Sequence, residues 1–203
     1  MAFDRARDET GAANGALSHL GEGRLSSLNE NRPAAGYIRD HFGSVRDALL
    51  REYDWNFASR WETLAADPTL PEGTFTKSYP LPAAYLRALE IKGATEDDWS
   101  VEAVTVTASG AEEDVNILST DFIAPRLRFT RQITNVYAWD ALFLEIFQLR
   151  LAAKIAPLLM RANAADLEAQ AAAKMPTGKR ADAREKARSR VPAAGSYLTA
   201  RRA

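Results

Sequence analysis

The 203-residue sequence contains no cysteine. That removes disulfides, thiolate metal sites and cysteine nucleophiles at once. Histidine is nearly as scarce, with only His19 and His41. Neither has a partner at the i, i+4 spacing of a helical zinc site, so both are expected to be ordinary surface or packing residues. No apolar run approaches the roughly 20 residues that cross a bilayer, and no membrane partner is expected. The opening Met1-Ala2-Phe3-Asp4-Arg5 leads into polar residues rather than the apolar core of a secretory signal, which makes the cytoplasm the expected place of synthesis. Phosphate-cradling GxxxxGK[ST] and GxGxxG motifs and the GxSxG nucleophile elbow are all missing. Gly21-Glu22-Gly23 has no strand before it and reads as a helix stop. The acidic runs Asp97-Asp98 and Glu112-Glu113-Asp114 read as solvated turns, not as paired catalytic carboxylates. No cofactor, no metal and no catalytic residue is expected, and an enzyme, for instance a lytic hydrolase, is the least favoured reading.

What is present is apolar. Hydrophobic residues make up 46% of the chain, with four Trp, eight Phe and six Tyr. This suits one domain, or one domain with an extension, held by packing and by partner subunits. The net charge of −1 hides an asymmetry. From Arg161 onward there are ten Lys and Arg against four acids, whereas the preceding residues carry sixteen against twenty-three. A basic tail on an acidic body is expected to meet something negative: nucleic acid, a neighbouring subunit or another protein. The basic stretch 179–190 has no interleaved aromatics, so base stacking is not expected, and only sequence-independent phosphate contact remains open.

The apolar spacing predicts mainly α structure with a small antiparallel β-sheet, an α+β fold. Long helices form a bundle, with a β insertion and an extended C-terminal helix or arm. The N-terminal bundle helices span 14–66, the sheet 75–131, the long C-terminal helices 136–175 and the basic helix or arm 176–203. Asn14 is expected to cap a first short helix carrying Ala16, Leu17 and Leu20. Pro33 sits in the first turn of a second helix, where no amide bond is lost. That helix bears Tyr37, Ile38, Phe42, Val45, Leu49 and Leu50 on its apolar face, has Arg46 among its polar positions, and stops near Tyr53. Trp55, Phe57, Trp61 and Leu64 then form an aromatic knot closing one end of the core. Four strands are expected at 86–91, 99–107, 115–119 and 125–130, with a hairpin turn over Ser109-Gly110 and the acids that follow. The broad apolar surface from Trp139 through Phe143 and Phe147 to Leu159 marks a central helix that Pro157 bends or restarts. An alanine-rich helix runs over 162–174, and Met175-Pro176-Thr177-Gly178 breaks it. The polar stretch beyond lacks an apolar face, so it needs a partner to dock on, and removing 176–203 is expected to leave the body folded.

Four groups of residues, in order, resemble a known family. The first is Ala16-Leu17 with Leu20-Gly21-Glu22, Leu25 and Ser27-Leu28. The second is Leu49-Leu50-Arg51 followed by Tyr53-Asp54-Trp55-Asn56-Phe57-Ala58. The third is Tyr79 with Leu81-Pro82 and Leu86-Arg87, where Ala84 replaces a common Asp. The fourth is Trp139-Asp140, Phe143, Leu149-Arg150-Leu151-Ala152 and Ile155-Ala156, with a looser echo at Asp182-Ala183-Arg184. Across roughly 14–190 the chain resembles the tail tubular protein A family of short-tailed phages, the head-to-tail adaptors or gatekeepers. Residues 93–128 match no motif of that family.

The resemblance implies a virion structural protein at the head–tail junction. It would form a homo-oligomeric, dodecameric ring between the portal protein and the tail nozzle protein, and continue the DNA channel with only transient, non-specific contact to genomic DNA. The residues expected to reach the portal or a neighbour are Arg180, Arg184, Arg188, Arg190 and Tyr197. Two other classes stay open: a different connector, such as a head-completion or tail-terminator protein, and a small non-specific nucleic-acid-binding protein.

Overall fold

A computed structural model describes residues 8–108 and 111–185. It has the expected α+β character, with four α-helices and six strands. The helices are α1 (Glu9–His19), α2 (Pro33–Glu52), α3 (Ala141–Ile155) and α4 (Ala164–Glu185). The strands are β1 (Ser59–Thr63), β2 (Ser78–Pro80), β3 (Tyr85–Ile91), β4 (Trp99–Ala108), β5 (Ala111–Thr120) and β6 (Arg126–Arg131). Where one sheet was expected there are two, both antiparallel and three-stranded, in the orders β1-β6-β3 and β2-β5-β4. The residues of β1 follow an aromatic stretch, Tyr53, Trp55 and Phe57, and read as part of the knot. They form a strand because the backbone of β6 offers them a full register, Ser59 opposite Thr130 through Thr63 opposite Arg126.

Helix α1 starts earlier than Asn14. Asp8 is its cap, its carboxylate accepting from the Gly11 amide at 2.5 Å. Asn14 is buried inside the helix instead. Its side chain accepts from the Leu25 amide at 2.7 Å and donates to the Leu25 carbonyl at 2.9 Å. It thus does for the linker what a neighbouring strand would do. Helix α2 behaves as its sequence says: Pro33 is in the first turn and Tyr53 ends it in an extended conformation. Arg46, however, lies buried. Its guanidinium turns along the helix to Asp47, 2.7 Å away, and Asp47 also accepts from Gln132 at 2.8 Å.

Two hydrophobic cores result. The larger joins the four helices and holds Ile38, Leu49, Leu50, Trp55, Trp139, Phe143 and Phe147, with Phe57 packed against it. Edge-to-face ring contacts run from Tyr53 through Trp55, Phe143 and Trp139 to Phe147. The smaller core draws on both sheets: Tyr79 and Leu118 from one, Ile91, Leu127 and Phe129 from the other, with Leu64 beside them. Trp61 lies outside both, on the exposed side of β1, with Arg126 over its ring at 5.5 Å.

Helix α3 is capped by Asp140, which accepts from the amides of Leu142 and Phe143. Pro157 does restart the chain, as a short 3-10 turn that closes with Met160 in the left-handed region.

The expected break at 175–178 does not occur. Helix α4 is continuous from Ala164 to Glu185, with Pro176 inside it. An interior proline costs about 3 kcal/mol through its missing N–H and its clash with the preceding turn. Here the flanking residues offset that cost against the body. Met175 is buried in the main core. At Gly178 a β-carbon would stand 3.2 Å from Ile146 and 3.3 Å from Trp55, so any larger residue would press on both side chains.

Candidate functional site

The last turns of α4 carry the residues singled out for partner contact. They are anchored by polar groups, not by an apolar stripe. The Asp182 carboxylate is buried and accepts from the Asn56 amide at 2.8 Å. The Asn56 side chain donates back to the Asp182 carbonyl at 2.6 Å. One turn earlier the Tyr53 hydroxyl donates to the Lys179 carbonyl at 3.3 Å, and the Lys179 ammonium lies over the Tyr53 ring at 5.5 Å. Glu52 stands 3.9 Å from Lys179 and 2.5 Å from Arg150, so three helices share one cluster of charges. The polar stretch therefore does not wait for a partner in order to dock, at least as far as Glu185. Its helix face reads as solvated only because the groups it meets, the end of α2 and the Asn56–Ala58 turn, are polar as well.

On this anchored helix Arg180 and Arg184 are both exposed. Arg188, Arg190 and Tyr197 lie outside the described residues. So of the five expected contact residues, the structure places two on a fixed, outward-facing surface. Nothing in the sequence marks Asp182 and Gly178 as the residues that hold them there: Asp182 is one of two acids in the basic run, and Gly178 reads as part of a helix break.

The second exposed feature is the hairpin of β4 and β5, paired in continuous register from Trp99 opposite Thr120 to Ala108 opposite Ala111. Strand β2 covers β5 only at Ile117, Leu118 and Ser119. The rest of the hairpin leaves the body as a two-stranded ribbon. Glu112, Glu113 and Asp114 do not lie in a turn, as expected, but on β5, all three exposed. The pairing register of Thr107, Val106 and Thr105 carries the strand straight through them, and the Thr105 hydroxyl donates to Asp114 at 2.8 Å. Glu102 is the one charge on β4. Its carboxylate accepts from the Thr74 amide at 2.8 Å and hydroxyl at 3.1 Å, and from Ser100 at 3.1 Å. The Thr74 amide bond above all holds that carboxyl below the usual glutamate range. On the 3-10 turn before β4, Asp98 closes a capping box with Thr95, whose amide depresses it in the same way.

No group of three or more His, Asp or Glu among the described residues is arranged to hold a metal ion. His19 is exposed at the end of α1 and His41 half-buried in α2, far apart in the sequence. A surface groove of about 420 Å³ is lined by Val45, Ala48, Ala153 and Ala164, with Arg150, Lys154 and Glu168 among its polar groups. Among the described residues no helix is long and apolar enough to cross a membrane. No protein-family model matches the chain, and no curated protein matches it.

Proposed function

We propose that this protein is a structural ring component of a phage virion: a head-to-tail adaptor that sits between portal and tail nozzle and continues the DNA channel. The observation that carries the reading is the C-terminal helix. Arg180 and Arg184 project from a helix whose position is held by Gly178, Lys179 and Asp182, so a basic contact surface is presented without an ordering cost at binding. The distribution of charge supports the same reading. An acidic body and a basic C-terminal region favour contacts between unlike faces of neighbouring copies, as a closed head-to-tail ring requires. The family resemblance supplies the particular assembly, a dodecamer on the portal.

The test is the mass of the purified protein, alone and with a portal ring. The expected result is a species that becomes a ring of about twelve copies on the portal, and an Arg180→Glu/Arg184→Glu variant that folds but docks weakly. A monomer that ignores the portal and binds duplex DNA at low salt would replace this reading with the nucleic-acid module. Truncation should begin after Glu185. Removing 176–203 would take away Gly178 and Asp182 and uncover Trp55, so it would test folding and docking together.

A further inference from the structure

The ribbon has two free edges, and they are unlike. On β5, residues 111–116 extend beyond β2 and carry three successive carboxylates, Glu112, Glu113 and Asp114. On β4, the edge strand of its sheet, ten residues carry one charge, Glu102, and that carboxylate is tied back to Thr74 on the body. Val101 to Thr107 contains neither proline nor glycine. Proteins blunt exposed edges with charge, proline, bulges or short length, because unpaired amides and carbonyls recruit other strands. Here β5 is blunted and β4 is not. One face of the ribbon, moreover, continues outward from buried Ile117 as a half-buried valine stripe, Val115, Val104 and Val106.

We infer that the β4 edge is a strand-addition site, and that its occupant is the β5 edge of a second copy of this chain. Charge selects among the possible pairings. Two β5 edges would set three carboxylates against three, which like-charge pairing across strands disfavours. The nearly uncharged β4 edge meets β5 without that repulsion. Geometry selects in the same direction. β4 and β5 are antiparallel within the hairpin, so identical hairpins placed side by side set each β4 antiparallel to the next copy's β5. The pattern repeats without a break and leaves no edge once the circle closes. A β4-to-β4 pairing would instead stop at two copies. The inference rests on the ring reading for the closed circle, and it assigns the ribbon as the contact between neighbours, where residues 93–128 match no family motif.

The chain's lack of cysteine makes the test direct. Single-cysteine variants are made on the exposed face of each strand: Ala103→Cys, Thr105→Cys and Thr107→Cys on β4, and Glu112→Cys, Asp114→Cys and Asn116→Cys on β5. Each β4 variant is mixed with each β5 variant under mild oxidation, with and without portal ring, and the mass of every sample is recorded. Paired residues on adjacent strands lie at the Cα separation a disulfide spans, roughly 4.5–5.5 Å. The expected result is crosslinked dimer in mixed samples at one consistent register, absent when a cysteine is moved one strand position off it. Crosslinks within a β4 variant alone mean two-fold pairing and overturn the proposal. So does a full set of mixtures without crosslinks. If those samples still have ring mass, only the strand pairing has failed and the ring reading stands.

Discussion

Replacing Asp182 with alanine should loosen the last turns of α4 by a predictable amount. The carboxylate is 6% exposed and accepts the Asn56 amide at 2.8 Å. Losing a hydrogen bond to a charged acceptor while its partly buried donor stays behind costs about 2 kcal/mol. The reciprocal bond, from the Asn56 side chain to the Asp182 carbonyl, survives because it uses backbone. The loss should therefore stay near 2 kcal/mol, well short of unfolding the domain. In a chain of this size that corresponds to a fall in Tm of roughly 4–8 °C. Asp182→Asn keeps an acceptor oxygen in place and should cost less than half as much. Urea unfolding of the three proteins gives the free energies, and hydrogen exchange gives their location. Amides of 179–185 should exchange faster in Asp182→Ala, while those of α3 should slow or quicken only with global stability. Asp182→Ala within 0.5 kcal/mol of wild type would refute the claim that this contact anchors the basic helix.

Three other outcomes are expected. Asn14→Ala removes both side-chain bonds to the Leu25 backbone inside the core and should destabilise by about 2–3 kcal/mol in the same urea assay. Glu102 is held below the usual glutamate range by its bonds to Thr74 and Ser100, so its contribution to stability is present above the unfolded pKa and is lost as pH falls through the lower folded one. Urea midpoints at pH 7 and pH 3 should accordingly drop further in wild type than in Glu102→Gln, and equal drops would contradict the assignment. Met160 is 96% exposed in the left-handed region at φ 56°, so Met160→Gly should stabilise by up to about 1 kcal/mol, seen as a small rise in Tm.

Where local chemistry and tertiary packing agree, the structure was readable in advance. Pro33 at the start of α2, the apolar spacing to Leu50 and the stop at Tyr53 all point one way, and so do the alternating residues of β4 and the apolar breadth of α3. The departures have a common cause. Pro176 signals a break because the local cost of an interior proline is large, but residues that far apart in sequence as Asn56 and Asp182 decide the matter in space. Asn14 signals a cap because asparagine competes for backbone groups, and it does so here for a linker eleven residues on. Glu112 to Asp114 signal a turn, yet a strand exposed on both faces tolerates carboxylates as easily as a loop does. Of the candidate contact residues, the arginines were legible from charge alone. The groups that fix Arg180 and Arg184 were not, since a buried acid in a basic helix is recognisable only once its partner is known.

The seal at Trp55 also imposes an order in time. A ribosome adding about 5–20 residues per second takes roughly 6–25 s to travel the 126 positions from Asn56 to Asp182. Through that interval Trp55 lacks its final cover, since Gly178 has not arrived to close over the indole. A nascent or truncated chain is therefore marked by an uncovered tryptophan, and a completed one by the same turn of helix that sets Arg180 outward. The fixed geometry of Arg180 and Arg184 and the completion of the core are therefore a single event, and an unfinished chain lacks both at once.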